Sequence, residues 1–306
     1  MPFTDHPILF LDGACGTNLQ VMDIPASAWE GREGCNELLN VTAPGIIEAL
    51  HRSFYEAGAM AVETNTFGAS SIVLAEYGLE DRAREINAAA VACARRAAGG
   101  DLNRFIIGSV GPTTKLATLG HIAVEALADA LGGQMRALLG SGVDALMIET
   151  CQDLLQVKTA VVAAYEAMDA ERREVPLMVS VTIEQTGTML VGTDIAAVCA
   201  TLEPYPVFSL GLNCATGPAA MESHLRYLSH HWPRRISCVP NAGLPEVRDG
   251  RTVYPLGPDD FAAAVRHLVE REGVRVVGGC CGTTPAHIRA LVKALEGVVP
   301  PERTVS

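Results

Sequence analysis

Val276-Val277-Gly278-Gly279-Cys280-Cys281-Gly282-Thr283-Thr284-Pro285 is an apolar strand that breaks into a glycine- and cysteine-rich turn and then into a helix. Thr284 suits the N-cap and Pro285 the first helical turn. Successive residues on a strand point to opposite faces, so two adjacent thiols converge only where the backbone leaves strand geometry. Gly279 and Gly282 permit that departure. Converging thiolates suit a zinc ion, but a pair leaves its ligand set incomplete. Gly211-Leu212-Asn213-Cys214-Ala215-Thr216-Gly217-Pro218 offers a third cysteine in a similar setting, ending an apolar strand and preceding a helix. The plainer reading of Cys280 and Cys281 is a pair of buried small hydrophobes, because neither a CxxC nor an HExxH spacing is present.

The strand-then-helix pattern recurs along the chain. Apolar runs near 8–11, 60–62, 105–110, 145–148, 177–181, 207–212, 236–239 and 274–277 each precede a helical pattern. Continuous apolar strands alternating with helices indicate a parallel sheet covered on both faces. Eight such units predict an α/β fold, a single-domain (β/α)8 TIM barrel over residues 1–297, with 298–306 as a C-terminal tail, frayed end or start of an interdomain linker. An open doubly wound sheet is the alternative. It usually carries a GxGxxG fingerprint after its first strand, where this chain has Asp12-Gly13-Ala14-Cys15-Gly16.

Bulk composition narrows the function. The 306 residues are 49% hydrophobic and 19% charged, with a formal charge of -12, which argues against a nucleic-acid partner. The N-terminus lacks a basic n-region, and no uncharged run reaches the roughly 18 residues of a membrane helix, so a cytoplasmic location is expected. Nine cysteines, an odd number, then read as reduced thiols plus a metal site.

In a barrel, residues just after the strands ring one rim, where such folds place their chemistry. Here these are Asp12, Glu63, Thr64, Asn65, Ser109, Glu149, Asn213, Cys214, Asn241, Cys280 and Cys281. Three protein ligands with an open fourth position are the pattern of catalytic zinc. Three thiolates leave the centre net negative, a poor electrophile but able to hold a further thiol as thiolate. The chemistry favoured is alkyl transfer to a thiol. Asp12 and Glu149 suit an α-ammonium, and amides near Ser109 to Gly111 or at Gly13 suit a carboxylate, which together fit a thiol-bearing amino acid. Plainer readings exist here too: Asp12-Gly13 as a turn, and Asn241 as a turn residue in Pro240-Asn241-Ala242-Gly243. A Schiff-base barrel fits poorly, since Lys115 and Lys158 do not sit directly at strand ends.

These motifs resemble the homocysteine S-methyltransferases. The resemblance rests on Leu11-Asp12-Gly13 with Gly16-Thr17, Glu63-Thr64-Asn65-Thr66-Phe67-Gly68, Gly108-Ser109-Val110-Gly111-Pro112, Glu149-Thr150, Gly211-Leu212-Asn213-Cys214 and the 278–285 block. It covers nearly the whole chain. Pro240-Asn241-Ala242-Gly243-Leu244-Pro245 is most similar to the homocysteine-binding module of cobalamin-dependent methionine synthase. The resemblance implies catalytic Zn2+ on Cys214, Cys280 and Cys281, with homocysteine sulfur as fourth ligand and Asn241 in that position when substrate is absent. It implies substrate contacts at Asp12, Gly13, Thr64, Ser109 and Glu149, and formation of L-methionine. Methylcobalamin on a partner module would be the methyl donor, with corrinoid- and folate-binding domains or proteins as partners. The corrinoid signature DxHxxG is absent from these 306 residues. That leaves three alternatives: a module of a larger synthase, a free-standing methyltransferase using S-methylmethionine or betaine, or a homocysteine-binding module inert without partner domains.

Overall fold

The computed structural model describes residues 1–248 and 250–305, so Ser306 of the expected tail lies outside the described residues. Eight strands form one parallel sheet: β1 (Leu9–Phe10), β2 (Ala61–Glu63), β3 (Phe105–Val110), β4 (Ala145–Cys151), β5 (Leu177–Val181), β6 (Ser209–Asn213), β7 (Arg235–Val239) and β8 (Val276–Val277). Pairing runs β1-β8-β7-β6-β5-β4-β3-β2. The Met60 N–H donates to the Phe10 carbonyl at 2.8 Å and joins the first strand to the second, closing the ring. The principal helices are α1 (Pro44–Ala57), α2 (Ala83–Ala98), α3 (Val124–Ser141), α4 (Leu154–Glu171), α5 (Ile195–Leu202), α6 (Pro218–His231), α7 (Pro258–Glu272) and α8 (Pro285–Ala294). This is the expected (β/α)8 barrel.

Strand alternation sorts the apolar residues into two layers. Leu9, Ile107, Met147, Met178 and Val276 fill the barrel interior. Their neighbours Phe10, Ile106, Leu146, Val179 and Val277 pack in the outer core shared with the helices. Phe3 joins the interior cluster, its ring 5.3 Å from Phe105 and 5.6 Å from Phe208. At Gly211 on β6, a Cβ would lie 1.9 Å from the Ser237 carbonyl oxygen of β7, so strand pairing there requires glycine.

Three features differ from the expected outline. Strand β4 runs on to Cys151, with a register shift between Ile148 and Cys151 that carries Glu149 and Thr150. An antiparallel hairpin, Glu246–Arg248 with Arg251–Val253, stands in the loop after β7. Its arms are three residues each and mostly polar, too short to show a period. The segment after α8 is bound rather than frayed as far as Arg303. Its guanidinium donates to the carbonyls of Leu228 and Trp232, at 3.3 and 2.8 Å, and to that of Arg234. Terminal helix carbonyls lack intrahelical partners, and a guanidinium supplies several donors at once. Among the described residues, no helix is long and apolar enough to cross a membrane.

One core group makes the fold sensitive to acid. His51 of α1 is buried, with neither ring nitrogen hydrogen-bonded. Burial lowers its pKa from 6.5 to about 4. The unfolded chain therefore takes up this proton first, so the stability is whole above pH 6.5 and falls as pH drops towards 4. The loss reaches about 3 kcal/mol. His51→Leu is expected to remove most of this loss. Urea midpoints near neutrality and near pH 5 test it: the variant's advantage should widen on the acid side, and a constant difference would exclude the assignment.

Candidate functional site

The C-terminal ends of the strands surround a cavity of about 770 Å³. Cys214, just past β6, has a left-handed backbone with φ 61°, and Ala215 repeats it at 53°. Such a conformation costs roughly 1–3 kcal/mol per non-glycine residue and persists only where the surroundings impose it. The Cys214 N–H donates to the Val239 carbonyl at 3.2 Å, and the Thr216 N–H to the Cys214 carbonyl at 2.6 Å. Buried Asn213 accepts from the Thr150 N–H at 2.9 Å and the Ser180 hydroxyl at 2.8 Å, and donates to the Thr150 hydroxyl at 2.6 Å. The Cys214 turn is thus tied directly to the residue after Glu149.

The paired cysteines are held from both sides. The Cys280 N–H donates to the Pro240 carbonyl at 2.8 Å, and the Ala242 N–H to the Cys281 carbonyl at 2.9 Å. The Thr283 hydroxyl donates to the Cys280 carbonyl at 2.7 Å and accepts from the Ala14 N–H at 3.1 Å. Gly282 turns the chain at φ 80°, and a Cβ there would lie 2.2 Å from Tyr254 Cγ. His287 Nδ1 accepts from the Thr284 N–H at 3.2 Å, so His287 works with the N-cap residue at the start of α8.

These turns bring three sulfurs together. Cys214 Sγ and Cys281 Sγ are 3.8 Å apart, and all three sulfurs lie within 4.8 Å of one another. Zinc–sulfur bonds of about 2.3 Å in a tetrahedron give an edge of about 3.8 Å, so the spacing fits that ion. Asn241 is buried, its side-chain oxygen has no partner, and the two backbone bonds just described flank it. An orphaned buried oxygen beside three thiols suits a metal ligand.

The sulfurs do not ionise independently. The Cys214 and Cys280 contacts hold the Cys281 thiol well below the usual thiol range. Those to Cys214 and Cys281, with burial, push Cys280 well up. Cys214 is drawn down by Cys280, but its contact with Cys281 and burial outweigh this and leave it at about 11. One thiolate with two thiol donors is therefore the favoured state of the bare trio near neutrality. Three thiolates there require a cation.

Beside the sulfurs lies a group of acids. Asp12 accepts the Glu63 N–H at 3.2 Å on each carboxylate oxygen, and Ser109 donates its hydroxyl to Glu149 Oε1. Burial raises both carboxyl pKa values. The Glu63 amide opposes this at Asp12, and at Glu149 the contacts from Ser109 and then Glu63 oppose it. Glu63 is held well above the carboxylate range by burial and the charges of Glu149 and Asp12.

Asp12, Gly13, Thr64, Ser109, Glu149, Cys214, Cys280 and Cys281 all line this cavity, while Asn241 is buried and does not. Thr64 is committed to the rim: its Oγ1 accepts the Ser109 N–H at 3.1 Å and lies 2.7 Å from Thr66 Oγ1. The Gly111 N–H donates to the Phe67 carbonyl at 3.1 Å. Two of the amides suggested for a carboxylate are thus already bonded. Two lining residues had been given no role. Glu63 was visible as a strand-end acid, but its place in one cavity with Glu149 depends on barrel curvature. Tyr254 follows the unforeseen hairpin, and its ring lies against Gly282 beside the cysteine pair.

Barrel, converging thiols and acid-lined mouth define a thiol- and carboxyl-lined site on a (β/α)8 frame, and comparison with known proteins supplies the family. The model for homocysteine S-methyltransferases matches residues 9–295, and the chain belongs to that family, which places it among the methyltransferases. It is 47% identical over 299 residues to methionine synthase of Mycobacterium tuberculosis, covering 96% of this chain and 25% of that protein. Methionine synthase of Mycobacterium leprae is 46% identical over 297 residues, covering 94% and 25%. The chain thus spans about a quarter of the length of these curated relatives. The metallated form of the Escherichia coli homocysteine methyltransferase MmuM is 26% identical, with a TM-score of 0.72, covering 94% of this chain and 96% of that one. The oxidised form of the same enzyme gives a TM-score of 0.73 over the same shares.

The thiol arrangement makes a chemical prediction. In metal-free protein near pH 6, iodoacetamide should label Cys281 ahead of Cys214 and Cys280, because the thiolate is the nucleophile. Peptide mapping by mass spectrometry reads the order, and equal rates at the three sites would overturn the charge assignment.

Proposed function

We propose that this chain transfers a methyl group to the thiol of L-homocysteine, giving L-methionine, with Zn2+ held by Cys214, Cys280 and Cys281. The observation that carries the reading is the 3.8 Å separation of Cys214 and Cys281 sulfurs within a trio that fits a tetrahedral ion. A zinc ion there would keep the substrate sulfur ionised at neutral pH yet nucleophilic. Asp12 and Glu149 attract the α-ammonium, and Ser109 fixes the Glu149 carboxylate through its hydroxyl. Gly13 and Thr64 border the amino acid from the first two strand ends, and Asn241 offers its oxygen to the metal when no substrate is present. With the sulfur already ionised, the methyl transfer needs no general base from the protein.

Methylcobalamin on a corrinoid-binding module is the proposed donor, recharged from 5-methyltetrahydrofolate on a folate-binding module. The identity of nearly half to mycobacterial methionine synthases supports this assignment. A cytoplasmic setting suits the free thiols. A second reading, a free-standing enzyme using S-methylmethionine or betaine, is favoured by the near-complete overlap with the E. coli protein.

Cys280→Ala is expected to lose bound zinc and to lower methionine formation more than about 100-fold, since even ligand-orienting residues are worth 10–100-fold. Metal analysis and a homocysteine assay check both, and normal turnover by zinc-free protein would exclude the mechanism. Parallel assays with free methylcobalamin, S-methylmethionine and betaine identify the donor. Homocysteine binding without turnover on any of them would instead indicate a module inert without its partner domains.

A further inference from the structure

Asn213 is fully buried between the two turns that carry the cysteine and the acid of the site. Its Oδ1 accepts the Thr150 N–H at 2.9 Å and the Ser180 hydroxyl at 2.8 Å, and its Nδ2 donates to the Thr150 hydroxyl at 2.6 Å. A backbone N–H only donates, so the amide oxygen must face Thr150. The Asn213 carbonyl accepts the Thr182 hydroxyl at 3.0 Å, and the Thr182 N–H donates to the Cys151 carbonyl at 3.1 Å. The end of β5 thus props the ends of β4 and β6 together. Asn213, Ser180 and Thr182 are all buried, and none of them lines the cavity, so they act on it only through their neighbours.

Both neighbours are turns that need outside support. Thr150 has φ 57° immediately after Glu149, and Cys214 has φ 61° immediately after Asn213. A left-handed backbone is costly for any residue with a Cβ and more so for a β-branched one. At Thr150 the Asn213 side chain bonds both the N–H and the hydroxyl. At Cys214 the same anchored residue sets the direction in which the chain leaves β6. Truncation at 213 would leave the Thr150 N–H and the Ser180 hydroxyl without this partner and release both turns at once.

We propose that Asn213 is a positioning residue that couples the metal-binding thiols to the amino-acid subsite, so that Cys214 and Glu149 adjust together. This rests on the homocysteine reading above. One substitution outside the cavity should then disturb two separate things: the geometry of the ion held by the sulfurs, and the hold on the amino acid.

Cobalt(II) in place of zinc reports the first through its d–d bands. L-norleucine reports the second at saturating zinc, because it has the ammonium and carboxylate but no sulfur to bind the metal. In Asn213→Ala, cobalt affinity is expected to fall about 10-fold or more with shifted d–d bands, and L-norleucine affinity about 5-fold or more. Ser180→Ala removes one donor to the same amide oxygen and should move both readouts in the same direction by less. It replaces Asn213→Ala as the deciding variant if that protein does not fold. A deciding variant that keeps either the wild-type cobalt bands or the wild-type L-norleucine affinity overturns the coupling. Zinc-loaded wild type that binds L-homocysteine but not L-norleucine holds no amino acid apart from its metal, and overturns this inference alone. Failure of that protein to bind L-homocysteine overturns the homocysteine reading and this inference with it.

Discussion

The seam between β1 and β2 is the contact on which the site depends. Six of the other strand junctions follow consecutive βα units, and β8 returns to β1 through backbone bonds such as Leu11 N–H to the Val277 carbonyl at 2.8 Å. The seam is thinner. It has the Met60–Phe10 backbone bond and, one step up, a side chain in place of a carbonyl: the Asp12 carboxylate takes the Glu63 N–H. Buried amides must be paired, so an acid here is part of the barrel's closure as well as of its mouth. The same closure brings residue 12 beside residue 279, where the Gly279 N–H donates to the Asp12 carbonyl at 3.0 Å. The start of the chain and its cysteine pair thereby become neighbours.

That proximity has an electrostatic consequence. The acid that closes the barrel stands beside Glu63, Glu149 and the thiols. The mouth therefore concentrates groups that become negative on ionisation and lacks any basic side chain among its described lining residues. Such a surface disfavours adding negative charge and favours cations, whether a metal ion at the sulfurs or an ammonium at the carboxyls. Both halves of the proposed chemistry thus draw on one charge imbalance. The charge that the bare trio holds on Cys281 has a more local cause, the contacts from Cys214 and Cys280.

Much of this was legible in the chain. The eight apolar runs followed by helices identify the barrel because each strand is buried on both faces and keeps a continuous pattern. The rim position of Asp12, Glu149, Cys214, Cys280 and Cys281 follows from their place after strands. What sequence does not encode locally is curvature. Glu63 and Glu149, 86 positions apart at the β2 and β4 ends, line one cavity, and no spacing announces it. The hairpin carrying Tyr254 to the cysteine pair is a mostly polar pair of strands, too short to show a period. The commitment of Thr64 and the Gly111 amide to the rim likewise emerges only from three-dimensional bonding.

The distribution of backbone strain agrees with this division. Among the described residues, five non-glycine residues have positive φ: Glu30, Thr150, Arg172, Cys214 and Ala215. Glu30 and Arg172 are exposed residues ending helical turns, where a left-handed residue is the ordinary stop. The other three sit at the mouth, and the Asn213 side chain bonds Thr150 while its backbone leads directly into Cys214. A strand that continued with regular geometry would send residue 214 along the barrel wall. The left-handed turn redirects the thiol towards the sulfurs from β8, and the β4 irregularity sets Glu149 at the opposite side of the same opening. Strain persists where surrounding bonds over-determine it, and a fully buried asparagine serving two such turns supplies that restraint. Asn213 therefore couples the spacing of the sulfurs to the position of Glu149: a disturbance at one turn reaches the other through a single side chain.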